Sequence, residues 1–195
     1  MMSVMIMGSS HVVKLKAMID RVFSGKIWNI EDVHWLGKSG LTAERLADNN
    51  DSLSITWREE LMRIQPDVIV LILGSNDLDT PVLGKGSMGE VDQVLHWMGK
   101  VVEWIRPLTR QLVLMPLLPR IFPRTTACNF RKKYPGRPDY MHLRWLLNMR
   151  LRELPISRFG ISIENVEKFM SDDVHFTDQG YRILLKRIIR TLRSI

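Results

Sequence analysis

Five positions in this sequence carry the groups that acyl transfer requires. Ser10 lies near the amino end, Gly40 and Asn76 lie in the first half, and Asp172 and His175 lie near the carboxyl end. A serine hydroxyl becomes a strong nucleophile when a histidine removes its proton, and a carboxylate orients that histidine. Ser10, His175 and Asp172 therefore form a candidate catalytic triad. The N–H groups of Ser10 and Gly40, with the side-chain amide of Asn76, form a candidate oxyanion hole.

Each of these residues also has a purely structural explanation. Ser10 could cap a helix, and Asn76 could belong to a turn. Asp173 competes with Asp172 as the orienting acid, although the spacing of three before His175 favours Asp172. Gly37 likewise competes with Gly40. The joint order of all the groups along the chain favours catalysis over these separate explanations.

The elements that must position these groups alternate between strand and helix. Apolar periodicity predicts a parallel sheet between two layers of helices, which is a three-layer α/β/α sandwich. In such sheets ligands bind at the carboxyl ends of the strands, where Ser10 and Asn76 are expected. The predicted strands are Ser3–Met7, Ile27–Leu36, Val68–Leu73, Leu112–Met115 and Gly160–Ile163. The predicted helices are His11–Phe23, Leu41–Ala47, Trp57–Ile64, Gly89–Ile105, Tyr140–Leu154 and Thr177–Leu192.

Four short segments resemble, in order, the four motif blocks of the SGNH (GDSL-type) hydrolase family. They are Gly8-Ser9-Ser10, Gly40, Gly74-Ser75-Asn76-Asp77 and Asp172-Asp173-Val174-His175. The resemblance spans residues 4 to about 181 and implies a flavodoxin-like sheet, here of five strands. It also implies a serine esterase that hydrolyses carboxylic esters, acetyl or lipid, through an acyl-serine intermediate.

One position departs from that family. The family places an aspartate before the nucleophile, and this chain has Ser9 there. We expect weaker support of the loop rather than loss of chemistry, because that aspartate is not a triad member. The alternative is a catalytically degenerate module of the same fold that binds acidic lipid or nucleic acid. The segment Gly8-Ser9-Ser10-His11 also resembles, more distantly, the esterase domain of ORF1 proteins encoded by eukaryotic retrotransposons.

The charge of the chain fits either an anionic partner or a basic surface that only keeps the protein soluble. Its 195 residues carry 28 Lys and Arg against 21 Asp and Glu, a net charge of +7. An excess of this size favours contact with an acidic membrane surface or RNA, besides the ester substrate. Residues 117–139 form a long basic segment in which aromatic residues alternate with cations, and we interpret it as a lid or binding loop. Its candidate contact residues are Arg120, Arg124, Arg131, Lys132, Lys133 and Arg137.

Composition limits the remaining possibilities. With one cysteine, Cys128, the chain cannot form an internal disulfide, which is typical of an intracellular, reducing compartment. The other histidines lack metal-ligand spacing, so we predict neither a metal nor a cofactor. The length fits one domain over residues 1–195. Because the first strand begins almost at residue 1, we interpret that domain as excised from a longer polypeptide.

Overall fold

A parallel β-sheet forms the middle layer of the computed structural model, which describes residues 2–23, 32–79, 87–119, 139–159, 169–171 and 174–195. The strand order is β2-β1-β3-β4-β5. Four strands of four to six residues make up most of the sheet, and a two-residue strand pairs with Val113 and Leu114 at one edge. The strands are β1 (Ser3–Gly8), β2 (Asp32–Gly37), β3 (Val68–Ile72), β4 (Gln111–Leu114) and β5 (Arg158–Phe159).

Helices cover both faces of this sheet. They are α1 (Ser10–Phe23), α2 (Ala43–Ala47), α3 (Ser52–Ile64), α4 (Ser87–Ile105), α5 (Tyr140–Arg150) and α6 (Asp178–Leu192). None of the helices within the described ranges combines the length and apolarity that crossing a bilayer requires.

Alternation along β1 separates two hydrophobic cores. Val4 and Ile6 pack with residues of α1 and α6 on one face of the sheet. Met5 and Met7 pack on the other face with residues of α3, α4 and α5. Because successive strand residues point to opposite faces, an uninterrupted apolar strand contributes side chains to both cores. The predicted α/β/α sandwich with a parallel sheet is confirmed.

Several predicted boundaries need correction. The third helix begins at Ser52 rather than Trp57, because Asp51 caps it by accepting from the N–H groups of Leu53 and Ser54. The fifth strand lies at Arg158–Phe159, before the predicted segment Gly160–Ile163, which lies outside the described residues.

One further boundary differs by a few residues. The second strand is described over Asp32–Gly37, and residues 27–31 of its predicted span lie outside the described ranges. The fifth helix ends at Arg150 and continues as a single 3₁₀ turn, Leu151–Glu153.

Candidate active site

A tight turn between β1 and α1 places Ser10. β1 ends at Gly8, whose φ of +146° is rarely adopted by residues with a side chain. A Cβ at Gly8 would lie 2.0 Å from the carbonyl oxygen of Ile72, so a side chain cannot fit there. The N–H of Ser9 donates to that same carbonyl at 3.0 Å. Ser10 then begins α1 at the carboxyl end of the sheet.

A short loop before α6 places His175. The N–H of Ser171 donates to the carbonyl of His175 at 2.8 Å, and Met170 forms an isolated antiparallel bridge with Phe176. Thr177 caps α6, as predicted, by accepting from the N–H of Gly180 at 3.3 Å. The backbone on both sides of His175 is therefore held by hydrogen bonds.

These two loops bring Ser10 and His175 together. Nε2 of His175 lies 3.1 Å from Oγ of Ser10, although the residues are 165 positions apart in sequence. This is within the distance at which a base accepts a hydroxyl proton. Ser10 is 8% exposed and His175 is half-buried, so the pair lies at the protein surface without protruding from it.

Aromatic side chains form one wall beside His175. The ring of His11, which is buried, lies 5.7 Å from the ring of His175 and 5.4 Å from that of Phe176, measured between centroids. The hydroxyl oxygen of Tyr181 lies 3.2 Å from Nδ1 of His11. Because Tyr181 lies in the first turn of α6 and Phe176 lies just before that helix, these contacts join the surroundings of His175 to the start of α6.

Gly40 and Asn76 lie in neighbouring loops that contact each other. The loop after β2 is tied to β1 by Lys38, whose N–H donates to the carbonyl of Gly8 at 3.0 Å. Gly40 has a φ of +73°. Nδ2 of Asn76 donates to the carbonyl of Leu41 at 2.8 Å, which fixes the plane of the Asn76 amide.

Gly37, the rival of Gly40, has a packing role. It ends β2, and a Cβ there would lie 2.9 Å from Cγ2 of Val13 in α1. Close approach of helix and strand therefore accounts for this glycine. At Gly40 a Cβ would meet nothing within 4 Å, so the backbone conformation, rather than space, favours glycine there.

Asp77 is the last residue of the motif Gly74-Ser75-Asn76-Asp77, and its position in the sequence does not indicate a role. It is 7% exposed, and its carboxylate accepts from the N–H groups of Ala43 at 2.9 Å and Glu44 at 3.1 Å. Burial raises the pKa of this carboxyl to about 6, against the lowering effect of those two hydrogen bonds. No local signal reveals this role, because the contacts join residues 33 and 34 positions apart.

Other predicted site residues lie in segments that the structure does not describe. Asp172 and Asp173 lie outside the described residues, and so do all six cations of the basic segment: Arg120, Arg124, Arg131, Lys132, Lys133 and Arg137. The ends of that segment are described: the N–H of Leu117 donates to Oδ1 of Asn148, and Asp139 precedes α5. Within the described ranges no three His, Cys, Asp or Glu side chains form a group that could hold a metal ion.

Several solved structures with a similar fold are named as lipases, acylhydrolases or esterases. A GDSL-like lipase from Bacteroides thetaiotaomicron superposes with a TM-score of 0.66 at 17% identity, covering 98% of this chain and 88% of that one. Axe2, an acetylxylan esterase from Geobacillus stearothermophilus, gives a TM-score of 0.55 at 16% identity, covering 97% and 93%. Structures of two catalytic mutants of Axe2, in which a serine or an aspartate is replaced by alanine, are also similar.

At this level of identity the likeness defines the fold. The chain has the fold of the SGNH (GDSL-type) hydrolases, as the motif resemblance implied. No protein-family model and no curated protein sequence matches the chain. The more distant resemblance to esterase domains of retrotransposon ORF1 proteins finds no support in these structures.

Proposed function

We propose that this protein is a serine esterase of the SGNH class that hydrolyses carboxylic esters without a metal or cofactor. The observation that carries the proposal is the 3.1 Å contact between Oγ of Ser10 and Nε2 of His175. Two residues 165 positions apart do not meet at a strand end by local structure alone. The similar fold of a GDSL-like lipase and an acetylxylan esterase supports the same chemistry.

In this proposal, acylation begins with the Ser10–His175 pair. Oγ of Ser10 attacks the ester carbonyl while Nε2 of His175 takes its proton. The carbonyl oxygen becomes an oxyanion, stabilised by the N–H groups of Ser10 and Gly40 and the side-chain amide of Asn76. As the tetrahedral intermediate collapses, the C–O bond to the alcohol breaks, and His175 returns the proton to the leaving oxygen.

Deacylation repeats these steps with water. His175 removes a proton from water as the oxygen attacks the acyl-serine carbonyl. The second tetrahedral intermediate collapses to release the carboxylic acid, and Ser10 recovers its proton. In this proposal the carboxylate of Asp172 accepts from the Nδ1 side of His175 and keeps Nε2 available as the base.

Replacing the nucleophile tests the proposal. We expect Ser10→Ala to reduce kcat for p-nitrophenyl acetate by at least about 10³-fold, because no hydroxyl remains to form the acyl-enzyme. Ser52→Ala, at an exposed serine of α3, is the matched control and should retain wild-type kcat. Circular dichroism should show the same fold in both variants. Undiminished hydrolysis by Ser10→Ala would rule out the assignment.

A fluorophosphonate probe separates this proposal from the degenerate binding module. An activated serine reacts with the probe, and an idle serine does not. We expect mass spectrometry to locate the phosphonyl group on Ser10 in the wild type. The reaction should be lost in His175→Ala, although Ser10 is still present in that variant. A wild-type protein that remains unlabelled would favour the binding module.

The acyl group is proposed only by class. The resemblance points to acetyl or lipid esters, and the names of the similar structures include both a lipase and an acetylxylan esterase. We would measure kcat/KM of the wild-type protein for p-nitrophenyl esters from acetate to palmitate. The ester with the highest kcat/KM decides between short and long acyl chains.

A further inference from the structure

Asp77 is a buried carboxylate that the hydrolytic steps leave without a task. It follows Asn76 directly, at the carboxyl end of β3, and its carboxylate contacts the start of α2. Oδ2 accepts from the N–H of Ala43 at 2.9 Å, and Oδ1 accepts from the N–H of Glu44 at 3.1 Å. Ala43 and Glu44 are the first two residues of α2.

The segment held in this way leads directly from the proposed oxyanion glycine. Gly40 lies three residues before Ala43, and Leu41, between them, accepts from Nδ2 of Asn76 at 2.8 Å. Two consecutive side chains of the β3 loop therefore hold the Gly40 loop, Asn76 through a carbonyl and Asp77 through two N–H groups. At its other end, this loop is attached to Gly8 through the N–H of Lys38.

We propose that Asp77 is a positioning residue for the oxyanion hole, which fixes the N–H of Gly40 relative to Ser10 by anchoring the start of α2. The inference rests on the proposed esterase function. Oxyanion donors are effective when they are already in place before charge develops on the substrate. A displacement of about 1 Å can reduce the rate by about 10²-fold.

The chemistry of the side chain explains why a carboxylate suits this position. An ionised carboxylate has two acceptor oxygens, so it can accept from both N–H groups at once. An asparagine of the same shape has one oxygen, and its NH₂ group would face the second N–H donor. Asp77→Asn therefore preserves the volume while removing one of the two contacts.

The experiment compares Asp77→Asn with the wild type in ester hydrolysis and in binding of a boronic acid. The boronate forms a tetrahedral adduct with the nucleophilic serine and places an oxygen in the oxyanion hole. We expect kcat/KM for p-nitrophenyl acetate to fall about 10- to 100-fold, mainly through kcat, because the lost stabilisation belongs to the transition state. The inhibition constant of the boronate should rise by a similar factor, with KM within about threefold of wild type.

Asp48→Asn is the matched control. Asp48 is the C-cap residue of α2, and its exposed carboxylate accepts from the N–H of Asn50. The substitution removes the same charge from the opposite end of the same helix, and kcat/KM should stay within about threefold. Asp77→Ser, which has a single oxygen and a smaller volume, provides a second test and should show the same split between kcat and KM if Asp77→Asn does not fold.

The outcomes separate the two proposals. An inactive wild-type protein that does not react with fluorophosphonate defeats the proposed function itself. If the wild type is active and Ser10→Ala is not, unchanged kcat and boronate affinity in a folded Asp77 variant overturn the positioning role. A loss carried entirely by KM overturns it as well.

Discussion

The Ser10–His175 pair is the residue-scale feature on which the proposed chemistry depends. The two side chains come from opposite ends of the chain, and each is held by its own loop. Gly8 and Ser9 fix the turn that leads into Ser10, while Met170, Ser171 and Thr177 fix the backbone around His175. A base held in this way needs an acid on its other ring nitrogen, and this acid is proposed from sequence spacing.

Substitution of the two candidate acids decides which one orients His175. We expect Asp172→Ala to lower kcat by about 10³–10⁴-fold, because the imidazole then loses the partner that fixes its tautomer. Asp173→Ala is the matched control and should retain kcat within about threefold. Both are measured with p-nitrophenyl acetate under saturation. A larger loss in Asp173→Ala would move the orienting role to that residue.

Residue types indicated the candidate reacting groups better than the residues that support them. Ser10 and His175, which the structure brings to 3.1 Å, were proposed because their chemistry and their order along the chain are specific. The clamp formed by Asp77 on Ala43 and Glu44 was missed, since a carboxylate in a loop gives no sign of which distant N–H groups it will meet. Hydrogen bonds between residues this far apart in the chain cannot be predicted from the sequence.

At the scale of elements, the turn between β1 and α1 places the strictest demand on the sequence. Gly8 pairs with Ile72 on one side and Gly37 on the other, so β1 is enclosed between β2 and β3 where it ends. The chain must then reverse into α1 without a side chain at Gly8. This turn is where the geometry of the sheet fixes the position of Ser10.

A pair of glycine substitutions tests that demand. We expect Gly8→Ala to lower the free energy of unfolding by at least about 3 kcal/mol, because its Cβ would overlap the Ile72 carbonyl at a positive φ. Gly99→Ala is the matched control: its Cβ would lie 3.8 Å from Leu154 in an ordinary helical position of α4. Alanine should stabilise that helix by about 0.5–1 kcal/mol.

Urea unfolding of both variants provides the measurement. Equal stability of Gly8→Ala and the wild type would show that the turn can relax, and the rigid placement of Ser10 would then be wrong.

Element types were predictable where periodicity was strong. The apolar run of β3 and the stripes of α1 and α4 predicted those elements to within two residues. The start of α3 was predicted five residues late, because its first turn has little apolar periodicity and depends on the cap that Asp51 provides. The strand β5 at Arg158–Phe159 was not predicted, since two residues of strand give almost no pattern.

Part of the positive charge of the molecule lies in one group of cations along α6. Within the described ranges, Lys186, Arg190 and Arg193 line one groove on α6, and none of the ion pairs between described residues includes them. At 1.5 Å per residue, Arg193 lies roughly 20 Å further along the helix axis than Asp178. Arg193 therefore lies at the end of α6 that is far from His175, whereas Lys186 lies only about 12 Å along the axis from Asp178.

Asp77 also links the site to the stability of the whole molecule. Burial raises the pKa of its carboxyl from 3.8 to about 6 in the folded protein, so folding favours the protonated form. The stabilisation is complete below the unfolded-state pKa and is lost as the pH rises through about 6. At neutral pH the ionised carboxylate reduces stability by about 3 kcal/mol relative to its protonated form. Two half-buried carboxylates act in the opposite direction: Arg45 and Arg63 lower the pKa values of Asp51 and Glu60.

Comparison with Asp77→Asn isolates this contribution, because all other carboxyl groups are shared. We expect the unfolding free energy of the wild type minus that of Asp77→Asn to fall by about 2 kcal/mol between pH 4 and pH 7. Urea unfolding at four or five pH values in this range measures the difference. A flat difference would mean that the two hydrogen bonds offset the effect of burial on the Asp77 pKa, and a difference that rises with pH would mean that they outweigh it. In either case, ionisation of Asp77 would not reduce stability at neutral pH. At that pH the proposed anchoring of Ala43 and Glu44 needs both oxygens of the Asp77 carboxylate.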